Sequence, residues 1–442
     1  MASEKIVFIG GGSPFTPSLL YTVVENGAAL DGSEIWLLDI DDSRLPTMTA
    51  IGAQFAERHG VDLSFHATTD AEEALADATF VFFGYRVGGS EHMAYDITIP
   101  TEHGISGDET TGPGGTFMAQ CSIPVTVEYC RLMEDLCPDA WAISYVNPAN
   151  AVADAVRRET DVSFISVCDC HPGFVMGTLP RLLDQPPYER RYARSEDIKA
   201  RAIGVNHLNW FVEITLDGED AYPLLEEGIE RAMDETTFDR PLEFMQELID
   251  TYGYVHPCPF HAKPLLRQQR FLEERRRTDV REEGTVIGWS EERWEFAQEL
   301  RDGAAYEDHP DNYAFHLFHA RQAIGIMVSI VEDEGREWGG INFRNGGAIS
   351  NLPDDAIVEG PCIVDGNGIS PIAMGELPKP VLGITQQTIN WADLAVDAAL
   401  TGDEDRLYQS LLACPYVNDM DPAREIMDDL LEAHAEYLPQ YQ

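Results

Sequence analysis

Short apolar runs alternate with amphipathic stretches along the first 170 residues of the chain. The apolar runs predict β-strands at residues 5–9, 34–38, 63–66, 79–83, 140–145 and 163–167. Apolar residues recur at helical spacing in three intervening stretches, residues 14–25, 42–59 and 118–136. Apolar strands joined by helices indicate a parallel sheet that is covered on both faces. This part of the chain is therefore predicted to be a doubly wound, Rossmann-type α/β domain.

The pattern changes after about residue 195. Residues 201–205 and 210–216 predict strands, residues 224–301 form an acidic, helix-rich stretch, and residues 356–364 predict further strand. This mixture predicts an α+β domain in the second half. We expect domains at residues 1–195 and 196–442 that pack together with a cleft between them.

The charge balance narrows the classes of partner. The 442 residues include 77 Asp and Glu against 30 Lys and Arg, so the formal net charge is -47. Such a surface repels nucleic-acid phosphates and anionic lipid headgroups, which favours a small-molecule ligand over nucleic-acid or membrane partners. Lysine is nearly replaced by carboxylates, which predicts adaptation to high salt, because the Debye length falls to about 3 Å near 1 M salt.

The cysteines and the N-terminus indicate a cytoplasmic protein. The eight cysteines form neither zinc-type CxxC pairs nor the dense framework of small secreted domains, so we expect reduced thiols. The chain passes from Glu4 and Lys5 directly into its first predicted strand, without a long apolar region or a cleavage site. No stretch approaches 18 uninterrupted apolar residues.

A small-residue turn between the first strand and the first helix predicts a dinucleotide site. The turn consists of Gly10, Gly11, Gly12 and Ser13. Glycines let the backbone approach a pyrophosphate, and Asp39, at the end of the second strand, favours NAD over NADP by accepting hydrogen bonds from ribose hydroxyls. Phe15 occupies the third glycine position of GxGxxG, so a purely structural strand–turn–helix junction remains an alternative.

Further motifs extend along nearly the whole chain. They are RVGG at 86–89, IPTEHGISGDETTGPGG at 99–115, NPAN at 147–150, CDCHPG at 168–173, GVNHLNWF at 204–211, NGGAISNLP at 345–353, IVEGPCIVDGNGISP at 357–371 and GELP at 375–378. With the glycine turn, this ordered set resembles glycoside hydrolase family 4. The resemblance implies a lactate/malate dehydrogenase-like fold, a homodimer or homotetramer, and a glycosidase that uses NAD and a divalent metal, usually Mn²⁺.

The resemblance also implies a mechanism outside the two-carboxylate scheme of most glycosidases. In this family NAD⁺ takes hydride from C3 of the sugar, a base removes the acidified C2 proton, and the C1–O bond breaks by elimination. Water then adds and the hydride returns. The N-terminal domain is implied to bind NAD, and the C-terminal domain to bind substrate and metal and to support oligomerisation.

The same resemblance implies the metal ligands and the catalytic acid. His207, in GVNHLNWF, matches the family's histidine ligand, and Cys168, directly after a strand, matches its cysteine ligand. Asp169 then stands where some members carry the acid that protonates the leaving group. In a competing register Cys170 is the ligand and His171 stands beside it. Thiolate and imidazole suit Mn, Fe, Co or Ni, so this pair does not fix the metal.

The resemblance also implies a catalytic base and sugar-binding residues, and for the base several residues are possible. Tyr254 is the candidate C2 base, although Tyr252, His256 or His261 could serve instead. The other assignments place Asn147 against nicotinamide and sugar, Arg86 and Glu109 on sugar hydroxyls or on each other, and Asn206 as an orienting residue of the metal-side loop.

The sequence does not settle the substrate, and it leaves two rival functions open. We expect an unphosphorylated α-glucoside, α-galactoside or α-uronide, with Arg267 or Arg344 as candidates to hold a charged C6 group. The rivals are an NAD-dependent sugar or 2-hydroxy-acid dehydrogenase on the same fold, and a non-catalytic NAD- or sugar-binding protein.

Overall fold

The computed structural model describes residues 3–108, 110–168, 170–185, 198–233, 241–257, 262, 265–275, 286–308 and 311–442. Within these residues the backbone forms one sheet of twelve strands. Its strands are β1 Lys5–Ile9, β2 Ser33–Leu38, β3 Leu63–Thr68, β4 Phe80–Phe83, β5 Trp141–Ser144, β6 Ser163–Val167, β7 Ile198–Val205, β8 Leu208–Leu216, β9 Glu219–Asp220, β10 Arg336–Arg344, β11 Ile357–Asp365 and β12 Gly368–Pro371.

The first six strands confirm the predicted doubly wound fold. They are parallel and lie in the order β3-β2-β1-β4-β5-β6. The strand order reverses between β1 and β4, which is where open α/β sheets bind their ligands, beyond the carboxyl ends of the strands. The glycine turn follows β1 at this point.

The second half extends the same sheet in antiparallel fashion. From β6 the sheet continues through β10, β11, β7, β8 and β9, each paired with the strand before it. The short strand β12 pairs with the C-terminal end of β11, residues 362–365. The two halves therefore share a continuous hydrogen-bonded sheet in the described part of the chain. The domain boundary at residue 195 stays a prediction.

Helices cover both faces of the sheet. Their bounds are α1 Thr16–Glu25, α2 Gly27–Leu30, α3 Leu45–His59, α4 Ala71–Leu75, α5 Gly89–Glu102, α6 Gly112–Leu136, α7 Ala149–Glu159, α8 Cys170–Pro172, a π-helical turn Gly173–Thr178, α9 Leu179–Leu182, α10 Tyr222–Ala232, α11 Leu242–Tyr252, α12 Gln268–Arg275, α13 Val286–Arg301, α14 Asp311–Val331, α15 Lys379–Thr401, α16 Glu404–Ala413 and α17 Met420–Ala433. Among the described residues, no helix combines the length and apolarity that crossing a membrane requires.

The C-terminal helices return to cover the N-terminal half. Trp391 on α15 is fully buried and donates from Nε1 to Thr116 Oγ1 on α6 at 2.8 Å. Gln120, one turn further along α6, donates to the carbonyl of Ala395 at 3.0 Å. Their apolar neighbours belong to the same buried core as Val7 and Val81 on the sheet. The C-terminal helices therefore help to stabilise the core on one face of the N-terminal sheet.

Candidate functional site

The glycine turn has the close backbone packing expected of a dinucleotide turn. Gly10 has φ +88°, and a Cβ at this position would lie 2.5 Å from the carbonyl oxygen of Gly84. The backbone N–H groups of Gly10 and Gly11 both donate to Leu38 O at 2.9 Å, which holds the turn against the end of β2. Only a residue without a side chain fits Gly10 without moving the backbone.

Asp39 lies at the predicted position beside this turn. Its Oδ2 accepts a hydrogen bond from the Gly12 N–H at 2.8 Å, and its Oδ1 accepts one from Asp41 N–H at 3.2 Å. The carboxylate thus stands between the glycine turn and the end of β2, where a ribose would lie in a dinucleotide complex. The geometry fits the NAD that the sequence predicts.

An aromatic cluster adjoins the turn, and sequence reasoning found only one of its members. The Phe15 ring lies 5.1 Å from that of Tyr145 and 5.4 Å from that of His319, and the last two rings are 4.1 Å apart. Tyr145 follows β5, and His319 on α14 is hydrogen-bonded to the backbone of Val167 at the end of β6. This cluster therefore forms part of the carboxyl edge of the sheet.

Two polar atoms in the aromatic cluster are buried without a hydrogen bond among the described residues. Neither the Tyr145 hydroxyl nor His319 Nε2 has a hydrogen-bond partner in the described part of the structure. Burial lowers the pKa of His319 to about 3, so its ring is neutral near pH 7. Unsatisfied buried polar atoms are costly, and a bound polar ligand would relieve that cost. Tyr145 was predicted only as the end of a strand, and no motif marked His319.

Asn147 and Arg86 follow the ends of neighbouring strands. Asn147 is half-buried after β5, next to a cis peptide bond to Pro148. Arg86 follows β4, and its Nη2 donates to Asp96 Oδ2 at 2.5 Å while Nη1 contacts Met118 Sδ at 3.0 Å. Asp96 and not a surface carboxylate therefore holds Arg86. The predicted contact with Glu109 stays a prediction, because that residue lies outside the described residues.

Cys168 and His207 form a buried thiol–imidazole pair. Cys168 directly follows β6, and its Sγ lies 3.2 Å from His207 Nε2. His207 belongs to the two-residue turn between β7 and β8 and has φ +60°, a conformation that is rare for residues other than glycine and that concentrates at functional sites. Metal bonds of about 2.3 Å to sulfur and about 2.0 Å to nitrogen span up to about 4.3 Å, so one ion fits both atoms. The sequence-predicted ligands therefore meet.

A buried carboxyl fixes the turn that carries His207. Glu359 on β11 is 1% exposed, and it accepts hydrogen bonds from the side-chain amides of Asn206, at 2.9 Å, and of Asn209. Burial raises the pKa of the Glu359 carboxyl to about 7, and the asparagine hydrogen bonds oppose that rise. Asn206 therefore joins the His207 turn to Glu359, a partner that was not singled out from the sequence, and its orienting role stays a prediction.

The same network reaches the strand before Cys168. The side-chain amide of Asn342, on β10, donates to Ser166 O at 3.2 Å and to Glu359 Oε2 at 3.4 Å. Ser166 lies two residues before Cys168 on β6. A continuous set of hydrogen bonds therefore joins the backbone that carries Cys168 to the turn that carries His207.

The segment after α11 brings a histidine to the metal pair. His256 is fully buried, and its Nε2 lies 3.2 Å from the backbone carbonyl of His207. Tyr254 is half-buried and lines a surface cavity together with Asp220 and Tyr222. Tyr252 packs on Trp210 with ring centroids 5.2 Å apart. Among the described candidates for the C2 base, His256 contacts the backbone of His207, and the role of Tyr254 stays a prediction.

The candidate acid and the histidine of the competing register differ in what the structure shows of them. Asp169 and His261 lie outside the described residues, so the assignment of Asp169 as the acid stays a prediction. His171 is 2% exposed, with its ring against Gly339 and Gly340 of β10 and 5.4 Å from the Phe211 ring. Burial lowers the pKa of His171 to about 4. Both ring nitrogens lack a hydrogen-bond partner among the described residues, so His171 packs as a neutral core side chain.

Comparison with known proteins identifies two matching family models that together span most of the chain. Family 4 glycosyl hydrolase matches residues 5–184, and the family 4 glycosyl hydrolase C-terminal domain matches residues 202–417. A probable 6-phospho-beta-glucosidase from Bacillus subtilis is 31% identical, over 99% of this chain and 98% of that protein. An alpha-galactosidase from the same organism is 28% identical, over 99% of this chain and 100% of that protein.

Solved structures agree with the observed fold. A 6-phospho-alpha-glucosidase from gut microorganisms, in complex with NAD and Mn²⁺, is 26% identical with a TM-score of 0.85, and the match covers 100% of both chains. A malate dehydrogenase from Cryptosporidium parvum is 11% identical with a TM-score of 0.54, over 90% of this chain and 99% of that one. The predicted dehydrogenase-like fold is confirmed.

Proposed function

The chain belongs to glycosyl hydrolase family 4, and from this membership we propose that it hydrolyses an O-glycosidic bond by NAD-dependent, metal-assisted elimination. The observation that carries the proposal is the buried Cys168–His207 pair, with 3.2 Å between Sγ and Nε2, at the carboxyl edge of a dinucleotide-type sheet. A hydride-transferring dehydrogenase does not need a thiol–imidazole metal site. The pair therefore favours glycoside cleavage over the dehydrogenase alternative.

The residues divide into a cofactor part and a metal part. The turn from Gly10 to Ser13 and Asp39 would hold NAD, and Cys168 with His207 would hold a divalent cation such as Mn²⁺. When bound, NAD⁺ supplies a reversible hydride acceptor and the cation supplies Lewis acidity beside the sugar hydroxyls. This division assigns separate residues to each group, so each can be removed without the other.

The protein's own residues supply position and proton transfer. Glu359 and the asparagines around it fix the His207 turn, and Phe15, Tyr145 and His319 exclude water from the edge beside the glycine turn. Tyr254 or His256 takes the C2 proton, with Asp169 as the acid for the leaving group. Arg86, held by Asp96, offers its guanidinium to sugar hydroxyls.

The substrate we propose is a 6-phosphoglycoside of glucose. The support is that the 31% identical Bacillus subtilis relative and the 26% identical solved structure are both named for 6-phosphoglucosidase activity. This differs from the unphosphorylated sugar expected from the sequence. That class stays a second candidate because the alpha-galactosidase relative is nearly as similar, at 28% identity. Paired aryl glycosides with and without a 6-phosphate decide between them.

The decisive experiment follows NAD and the C2 proton in the same reaction. Purified protein with Mn²⁺, reductant and substoichiometric NAD⁺ is given the glycoside panel in D2O. We expect sugar release well beyond the NAD⁺ added, no net NADH, and deuterium at C2 of the product. NADH formed in proportion to consumed sugar would establish a dehydrogenase instead. Binding of NAD and metal without turnover on any glycoside would support the non-catalytic alternative.

We also propose that the enzyme works at high ionic strength as a homo-oligomer. The support for the first part is the net charge of -47. Such a charge repels itself at low salt and is tolerated when counter-ions screen it. Sedimentation of the protein in molar KCl tests the second part.

A further inference from the structure

A third potential metal ligand, Cys170, lies beside Cys168 and His207. The sequence alone offered Cys170 only as an alternative to Cys168. Cys170 Sγ, Cys168 Sγ and a ring nitrogen of His207 all lie within 4.8 Å of one another. The three residues are 2%, 4% and 4% exposed, respectively. The two cysteines form a small buried cluster of their own, apart from the main apolar cores. One sulfur therefore does not replace the other, and both adjoin the imidazole.

The local backbone explains how both thiols reach the same place. β6 ends at Val167, Cys168 follows it, and the helical turn α8 starts at Cys170. An extended strand would point alternate residues to one face with a spacing of about 7 Å. The change from strand to helix shortens that spacing and brings the second sulfur next to the first. His171 then turns away, onto Gly339 and Gly340 of β10.

We propose that Cys168, Cys170 and His207 together ligate the divalent cation, and that the second thiolate makes the site prefer softer ions over Mn²⁺. The inference rests on the proposed function only in that the site binds a metal. Thiolate ligands favour thiophilic ions, and Mn²⁺ is the weakest binder in the first-row series. A site with two sulfurs and one nitrogen therefore binds Co²⁺ more tightly than Mn²⁺ by a wider margin than a site with one sulfur.

The test uses Co²⁺ as a spectroscopic probe of the full-length protein kept under reductant. Sulfur-to-cobalt charge-transfer absorption grows with the number of bound thiolates, and its readout does not depend on activity. The variants are Cys170→Ala and, as a matched control, Cys362→Ala, which removes an equally buried thiol on β11 outside the group. Thermal melting of each variant establishes that it is folded.

The expected result is a loss specific to Cys170. Cys170→Ala should keep about half of the charge-transfer intensity of the unaltered protein, because one of two thiolates remains. Its Co²⁺ affinity should fall about tenfold or more, with a smaller loss for Mn²⁺ measured by calorimetry. Cys362→Ala should leave both quantities unchanged. Cys170→Asp, which substitutes an oxygen ligand, should bind Mn²⁺ more tightly than Cys170→Ala does.

Two other outcomes separate this inference from the proposed function. If Cys170→Ala keeps the full absorption and the full ratio of Co²⁺ to Mn²⁺ affinity, Cys168 and His207 bind the ion without Cys170 and the inference is overturned while the glycosidase proposal stands. If the unaltered protein binds neither ion, the metal site itself is wrong and both proposals fall together.

Discussion

At the scale of single residues, Glu359 is a carboxyl that the fold keeps close to neutrality. Burial raises its pKa to about 7 from an ordinary value of 4.5. The native state therefore binds a proton between these pH values that the unfolded state has lost. The contribution of Glu359 to stability is fully present below about pH 4.5 and is lost as the pH rises through about 7.

This titration predicts how Glu359→Gln changes the pH dependence of unfolding in chelator-treated protein. The free energy of unfolding of the unaltered protein, minus that of the variant, should fall by about 2 kcal/mol between pH 5.5 and pH 8, at about 1.4 kcal/mol for each pH unit below 7. Urea unfolding at four pH values measures the difference. Parallel stability curves for the two proteins would mean that Glu359 does not titrate in this range.

His207 allows its ligand role to be separated from its role in the turn. Its φ of +60° is strained for most side chains, but asparagine tolerates the left-handed region. His207→Asn should therefore keep the turn between β7 and β8 while removing the imidazole. We expect Mn²⁺ affinity to fall about tenfold or more, with NAD affinity unchanged. Calorimetric titrations with each ligand measure both, and an equal loss of NAD binding would show general damage instead.

At the scale of elements, a residue near the C-terminus joins α5 and the loop before it in one largely buried ion network. Asp96 on α5 is 1% exposed, and it accepts from Arg86 after β4 and lies 2.9 Å, through Oδ1, from Nε2 of His434 just after α17. His434 Nδ1 in turn lies 3.0 Å from His92 Nδ1 on α5. The C-terminal helix thereby reaches the loop that carries a predicted sugar-binding arginine.

Removal of Asp96 tests this network. Asp96→Ala leaves the guanidinium of Arg86 without its carboxylate in a mostly buried place, so we expect a loss of about 3 kcal/mol in the free energy of unfolding. The matched control is Asp429→Ala on α17, whose carboxylate pairs with His103 and is 54% exposed, and which should cost less than about 1 kcal/mol. Similar losses for the two variants in urea unfolding would contradict a special role for Asp96.

The alternation of apolar runs was sufficient to predict most elements of the first half. β1 and β6 have the predicted bounds, and the other four parallel strands differ by at most two residues at either end. The helix α5 was missed, since Gly88, Gly89 and the internal Pro100 suppress its helical pattern. The antiparallel extension was not predictable either, because β10 and β11 insert between β6 and β7 from far along the chain. Periodicity describes segments but not which strands pair.

Those site residues whose type and motif are distinctive could be predicted from the sequence. Asp39, Cys168 and His207 are distinctive residues at strand ends or in a turn; the structure brings Asp39 to the glycine turn and Cys168 to His207, and their ligand roles stay predictions. Glu359 lies in the quoted motif at 357–371, but nothing in that motif singled out its carboxyl, and no motif marked His319. Glu359 is buried, and Asn206, one of its partners, lies 153 residues away in the sequence, while His319 packs on Phe15, just before the first helix, so only the folded arrangement reveals them.

At the scale of the whole molecule, repulsion between surface charges opposes the compact folded state. The two halves share one sheet, which keeps the chain compact. The 77 acidic residues outnumber the 30 basic residues, so the excess negative charges repel one another. Long-range repulsion between exposed charges is screened as the Debye length falls from about 10 Å at 0.1 M salt to about 3 Å at 1 M. The compact state should therefore gain more from added salt than the expanded, unfolded chain does.

The melting temperature should therefore rise by several degrees between 0.1 M and 2 M KCl, as measured by calorimetry. Added salt also strengthens apolar burial, so a charge-reduced variant is needed to isolate repulsion. It replaces five exposed carboxylates by their amides: Glu57, Asp355, Glu376, Asp428 and Glu432. The variant should melt higher than the unaltered protein at 0.1 M KCl and should gain less from 2 M KCl, because fewer charges repel one another. Equal gains for both proteins would attribute the salt effect to apolar burial and would remove the physical basis for adaptation to high salt.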